Sequence, residues 1–286
     1  MLTPQATADG SFTFFSETFQ EAFHSASGAQ QEAEQKFVQA CQLPALAQQR
    51  DSITLLDVCY GLGYNTAAAL TAIWSVNPQC HIHLVALEQD SEVPRQALQY
   101  HLLQAWPQSI VQALTPLVET GRYQAPTLTA QVLWGDARQT LRPLAPLAAD
   151  AIFLDPFSPP KCPQLWTVEF IQLLAQHLGP TGVLATYSCA ASVRTALRLA
   201  GLCFGPTPQV GRRSPGTLAQ WTDQGLRPLS PAEREHLQTR AAIPYRDPSL
   251  RDDASTIHQH RRQEQSRSDL EPTSRWKKRW LTFNLG

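Results

Sequence analysis

The chain has 286 residues, 43% of them hydrophobic and 16% charged. That is enough material for one or two buried cores, and the apolar content excludes a wholly disordered chain. No apolar run approaches the ~20 residues of a membrane helix, and the opening MLTPQATADG has neither the basic nor the apolar stretch of a secretory signal.

The net charge of −1 hides an asymmetry. Residues 1–150 carry 6 basic and 13 acidic side chains, residues 151–286 carry 17 and 11. A basic second half admits a polyanionic partner. The six cysteines form no C-x-x-C pair and no metal-ligand spacing. Reduced core thiols in a cytoplasmic protein without a metal site are therefore expected.

Residues 10–27 are rich in aromatic and hydroxyl side chains. The stretch from Gly28 to Leu46 reads as a helix, with Ala29, Ala33, Phe37, Ala40 and Cys41 at helical spacing, and Pro44 ends it or follows it closely. Residues 53–58 read as a buried strand broken by glycines, and 65–76 as a well-buried helix. A second strand, HIHLVALEQD, ends in acid, and a helix over 91–105 follows with Pro94 in its first turn. Residues 106–127 are punctuated by proline and read as a local insertion. LTAQVLWGD, ADAIFLDPF and TGVLATYS are three further strands. WTVEFIQLLAQHL is a helix between the last two, and 190–200 is another.

Strands alternating with helices predict an α/β, doubly wound, mostly parallel sheet. The boundaries follow the change in character: an N-terminal cap over 1–50, a central domain over 51–225, and a polar arm over 226–286. That arm is expected to be extended and partly mobile, with one or two short helices.

Ligands of open α/β sheets bind outside the carboxyl ends of the strands. Four such ends carry distinctive residues: the Tyr60-Gly61-Leu62-Gly63 turn, Glu88, Asp136 and Asp155. Gly61 and Gly63 allow close approach of backbone to a ligand, and an acid at Glu88 accepts both hydroxyls of a ribose. The third glycine of a dinucleotide G-x-G-x-x-G is missing. Without a pyrophosphate to cradle it is dispensable, so the pattern suits S-adenosylmethionine, with Asp136 at the adenine amino group.

The stretch LDPFSPPKCPQLWT is the most informative. Asp155 ends an apolar strand, Pro156, Pro159 and Pro160 stiffen the backbone, and Phe157 offers a face for stacking a base. Such a corner suits methylation of an amine on a planar ring.

This stretch resembles the methyltransferase module of the tRNA wobble-uridine enzyme MnmC and its stand-alone bacterial relatives, whose loop has the form L-D-G-F-A-P-x-K-x-P-x-x-W. The residues from Leu154 to Trp166 match it, with Pro156 in place of the usual glycine. The family's G-x-G-x-N matches Gly61 to Asn65. Its D-G-S-x-T and H-S-x-x-G-A-x-x-E match Asp9 to Thr13 and His24 to Glu32. Its A-T-[YF]-[ST] and V-R-x-x-L-x-x-A-G match Ala185 to Ser188 and Val193 to Gly201, and a basic element matches Gly211-Arg212-Arg213. The resemblance covers about residues 9–220. The arm after 225 has no counterpart in it, and no second glycine fingerprint for a fused flavin oxidase follows.

The resemblance implies a Rossmann-like class I methyltransferase fold and transfer of a methyl group from S-adenosylmethionine to the amine of 5-aminomethyl-(2-thio)uridine at the tRNA wobble position. It implies Asp155, Pro156 and Phe157 as catalytic residues. Tyr60, Gly61, Gly63, Asn65, Glu88, Asp136, Ala137 and Asp155 would hold the cofactor. His24, Ser25, Tyr187, Arg194, Arg212 and Arg213 would meet the substrate or the RNA of an anticodon stem-loop, with Arg198 a further phosphate candidate. The N-terminal segment, with Phe14, Phe15, His24 and Ser25, is expected to fold over the cofactor as a lid. A separate wobble-uridine aminomethylating enzyme would supply the precursor. The interleaved Arg275-Trp276-Lys277-Lys278-Arg279-Trp280 reads equally as an RNA-contact tail and as a docked helix. Two other classes stay open: an N-methyltransferase for another nucleobase or a protein amine or amide, and a non-catalytic RNA-binding module of the same fold.

Overall fold

The computed structural model describes residues 2–208 and 215–281. Its centre is one eight-stranded sheet. In chain order the strands are β1 (Ser52–Val58), β2 (His81–Glu88), β3 (Arg122–Ala125), β4 (Leu128–Trp134), β5 (Ala149–Leu154), β6 (Leu178–Thr186), β7 (Cys203–Pro206) and β8 (Thr217–Gln220). Their order across the sheet is β7-β8-β6-β5-β1-β2-β4-β3. The five strands from β6 to β4 are mutually parallel, while β3 and β8 run antiparallel at the two flanks.

The central strands are apolar on both faces because helices cover both. Along β1, Ile53 and Leu55 point into one core and Leu56 and Val58 into the other, all fully buried. The first core is closed by α1 (Tyr64–Val76), α2 (Glu92–Gln99) and α3 (Gln108–Thr120). The second is closed by α4 (Val168–His177), α5 (Ala191–Leu199) and part of the C-terminal segment. The strand order reverses between β1 and β5, so the loops after these two strands diverge and open a crevice at the carboxyl edge. The expected α/β fold is present, and its switch point falls between the glycine turn and Asp155.

Three expectations need correction. Residues 106–127, read as a local insertion, are regular structure. They form α3, which carries Pro116 inside it, and the edge strand β3. The helix expected over 91–105 stops at Gln99. The helix after Gly28 is α-helical only over Ala29–Glu32 and continues as a π-helix over Ala33–Gln39.

The C-terminal segment departs furthest from expectation. Rather than an extended arm it folds into α6 (Pro231–His236), α7 (Ala254–Arg267) and α8 (Thr273–Leu281) and packs against the second core. Tyr245, Asp247 and Ile257 are buried there at 2% exposure or less. A capping box of Ser230 with Glu233 starts α6, and Asp253 caps α7. The RWKKRW element lies in α8 and is docked: Trp276 donates to the carbonyl of Ala232 and its ring stacks on His236 at 4.1 Å, while Trp280 donates to Glu235.

Candidate active site

Between β1 and α1 the chain turns through left-handed conformations at Cys59, Gly61 and Gly63. A Cβ on Gly63 would lie 2.7 Å from the Tyr60 hydroxyl. The missing side chain is what lets the Tyr60 ring fold under the turn. That ring is only 3% exposed and its hydroxyl is shielded and unpaired. The Tyr60 side chain therefore packs the loop, which leaves its backbone as the part at the turn. Gly61 is buried under the N-terminal segment, where Phe23 would be 3.7 Å from an added Cβ.

Glu88 ends β2 beside this turn. One carboxylate oxygen accepts the Gly61 N–H at 2.8 Å and the other accepts the Asp90 N–H at 2.8 Å. The Gln89 N–H is a further backbone donor to this carboxylate. Burial pushes the Glu88 carboxyl up, against the pull of these backbone donors.

Asp136 follows β4 and caps the turn Ala137–Thr140. Its carboxylate is paired with the Arg138 guanidinium at 2.7 Å, and Arg138 in turn reaches Asp247 at 2.7 Å and the carbonyl of Asp252 at 2.9 Å. Arg138 is thus the rivet between the loop after β4 and the C-terminal segment. Sequence reading missed it because nothing in WGDAR marks its distant partner. Ala137 is buried at 7% exposure.

Asp155 ends β5 across the switch point, half-buried. The Asn65 amide, in the first turn of α1, donates to its Oδ2 at 2.8 Å. The following corner is held carbonyl by carbonyl. Tyr187, at the end of β6, donates to Pro156 at 2.9 Å; the Trp166 indole donates to Phe157 at 2.9 Å; His258 from α7 lies 3.0 Å from the Pro160 carbonyl. Ser158 donates through its backbone N–H and its hydroxyl to Glu21, at 3.0 and 2.8 Å.

Glu21 belongs to the N-terminal segment, where Phe15–Ser16 pairs with Glu21–Ala22. Phe19, at the tip of this hairpin, stacks on Phe157 with 4.3 Å between centroids, and Phe23 meets Phe157 edge-on at 4.9 Å. Phe15 is half-buried at the hairpin's base, whereas Phe14 is wholly buried. His24 stacks on Tyr64 and contacts Thr13, and the Ser25 N–H donates to Glu32.

The D-G-S motif proves to be a clasp for this segment. Asp9 accepts from Thr7, from the backbone and hydroxyl of Ser11 and from the Gln31 N–H, while the Ser11 hydroxyl accepts from Ala29 and Gln30. Against the upward push of desolvation, these donors hold the Asp9 carboxyl down at about 2. Gly28 is required because a Cβ there would lie 2.4 Å from Asp9.

Arg194 is a correction. It is 2% exposed, ion-paired with Glu233 at 2.8 Å and bonded to Thr217, so it cannot meet a phosphate. Arg198 is exposed on the same helix. Arg212 and Arg213 lie outside the described residues.

These loops suit an adenosyl ligand. The glycine turn lies at the switch point under the N-terminal segment, Glu88 is an ordered acceptor beside it, and Asp136 stands one strand further along the edge. Residues 95–222 match the family model of an S-adenosyl-L-methionine-dependent methyltransferase. The crystal structure of MnmC2 from Aquifex aeolicus superposes with a TM-score of 0.83 at 32% identity, over 94% of this chain and 86% of that one. The chain belongs to the MnmC2 family of S-adenosylmethionine-dependent methyltransferases. Curated MnmC relatives are longer. The bifunctional protein of tRNA 5-methylaminomethyl-2-thiouridine biosynthesis from Ralstonia nicotianae is 32% identical over 85% of this chain, and its namesake from an Azoarcus species is 29% identical over 81%. The chain spans about 38% of the length of each. Among the described residues no helix is long and apolar enough to cross a membrane, and no cluster of side chains is arranged to hold a metal ion.

Proposed function

We propose that this MnmC2-family chain methylates the primary amine of 5-aminomethyl-(2-thio)uridine at the wobble position of tRNA, giving the 5-methylaminomethyl form. The observation that carries the reading is the Asp155 corner. A carboxylate at the switch point is oriented by Asn65 and continues into a loop whose carbonyls are fixed by Tyr187 and Trp166.

S-Adenosylmethionine supplies an activated methyl group at its sulfonium centre. What remains for the protein is to position the amine and to keep its lone pair free. On this reading Asp155 accepts a hydrogen bond from the neutral amine and would take up the proton that the nitrogen loses on gaining the methyl group, the sulfonium–methyl bond breaking with its electron pair left on the thioether sulfur. The Pro156 carbonyl, already fixed by Tyr187, is a second acceptor for orienting that amine. Glu88 binds the ribose diol, and Asp136, tied to Arg138, borders the adenine end.

The unit that does this is residues 51–225, with 1–50 as its cap and 226–286 as a packed C-terminal extension. The partner is the anticodon stem-loop of tRNA, in the cytoplasm. The aminomethyl group comes from a separate wobble-uridine enzyme.

The test is direct. The chain is incubated with labelled S-adenosylmethionine and tRNA from cells lacking the native activity. Label in the wobble nucleoside is the expected result. Label only in DNA or protein, or none at all, defeats the reading. Asp155→Ala should abolish turnover while calorimetry finds cofactor affinity largely kept.

A further inference from the structure

The Phe157 ring is the flat surface next to Asp155, and in this structure one of its faces is already taken. Phe19 lies on it at 4.3 Å with an interplanar angle of 19°, the arrangement of one base stacked on another. The hairpin that brings Phe19 there is short. It has two residues in each strand, and its tip residue Gln20 is exposed with φ +50°. The hairpin is fastened to the corner by Glu21 on Ser158, and Phe23 beside it covers both the rim of Gly61 and the edge of Phe157. One small element therefore bridges the cofactor turn and the catalytic corner.

We propose that Phe19 is a specificity-determining occupant of the base-stacking place on Phe157. A flipped-out pyrimidine takes this face only by displacing the ring, with the 15–22 hairpin swinging off Ser158 as it does so. This rests on the wobble-base reading above for the identity of the incoming base. Every base has a flat face to offer in exchange for the Phe19 ring; an aliphatic amine, such as a lysine side chain, does not. The exchange thus selects nucleobase amines over protein amines before chemistry begins.

The experiment compares Phe19→Ala and Phe19→Trp with the parent chain, using an anticodon stem-loop RNA bearing 5-aminomethyluridine. If Phe19 competes with the base, Phe19→Ala lowers KM for the RNA several-fold with kcat and cofactor affinity kept. Phe19→Trp, with a larger stacking surface, raises it. If Phe19 is instead a platform for the base, Phe19→Ala raises KM or lowers kcat, and the proposal falls. A second measurement needs no RNA. In hydrogen exchange of the free protein, Glu21→Gln should speed exchange of the Phe23 and Ser158 amides relative to those of β5, because the hairpin is released. Unchanged exchange overturns the displacement mechanism even if methyl transfer to the RNA is observed. Absence of transfer by the parent chain together with faster exchange overturns the wobble-base reading and leaves the hairpin a releasable element.

Discussion

Asn65 and Asp155 face each other across the switch point, the amide of one donating to the carboxylate of the other at 2.8 Å. The first turn of α1 follows directly on the glycine turn, so the same piece of backbone that forms the turn also aims the carboxylate of the neighbouring strand. On the proposed function, cofactor binding and amine orientation would share that backbone.

Replacing Asn65 by Ala removes a hydrogen bond to a charged group, worth about 1.5–3 kcal/mol. If that energy is realised in the transition state, kcat falls about 10- to 100-fold. Cofactor affinity should change much less. Steady-state kinetics against calorimetry separates the two, and an affinity loss as large as the kcat loss would assign Asn65 to the cofactor alone.

Glu88 accepts from backbone N–H groups around it, and burial holds its carboxyl above the usual glutamate range. Its ionised form is the better acceptor for a diol. Cofactor affinity should therefore be full above the raised pKa and fall as pH drops through it. Glu88→Gln should remove this acid limb and weaken binding about 10-fold or more at neutral pH. Titration calorimetry across the acid range checks both.

Asp57 offers a different pH signature. It is wholly buried beneath the glycine turn, with one oxygen accepting from Thr66 at 2.6 Å and the other unpaired. Burial raises its carboxyl to about 7. In the unfolded chain it titrates near 4. Between these values the folded state holds the extra proton, so stability declines as pH rises from about 4 to about 7. The decline is on the order of a few kcal/mol. Asp57→Asn should flatten it, as urea midpoints measured across that window would reveal; an unchanged slope would refute the assignment.

Arg194 should behave as a structural residue. Arg194→Met leaves Glu233 and Thr217 without their partner and should cost about 1–3 kcal/mol, discounted because Glu233 is partly exposed. The slope of RNA affinity against salt, which counts phosphate contacts, should not change. A loss of slope would restore Arg194 to the RNA surface.

The readable parts of the fold share a cause. The strands beginning at Ile53, His81, Leu128 and Ala149 are apolar runs that end in glycine or acid, so the strand and the residue at its end are both written locally. The positions of Asp155 and Glu88 at the carboxyl edge of the sheet are legible for that reason. Residues 106–127 were not, because Pro116 sits inside α3 and its edge-strand neighbour RYQA has no apolar alternation. The C-terminal packing was hidden for another reason. It depends on a few buried anchors, Tyr245, Asp247 and Ile257, and on the Arg138 ion pair, none of which leaves a periodic trace. Arg194 shows the limit on single side chains: spacing puts it on a helix, but its sequence-remote partners Thr217 and Glu233 turn it inward.

The corner after β5 is grasped from two directions. Glu21 holds Ser158 from 137 positions upstream, and His258 holds Pro160 from 98 positions downstream. Sequence-remote segments at opposite ends of the polypeptide thus share custody of the same few atoms. Trimming either end would perturb the geometry around Asp155 even where the central sheet folds undisturbed, and a minimal catalytic fragment cut at the sheet's own borders would be a poor surrogate for the whole.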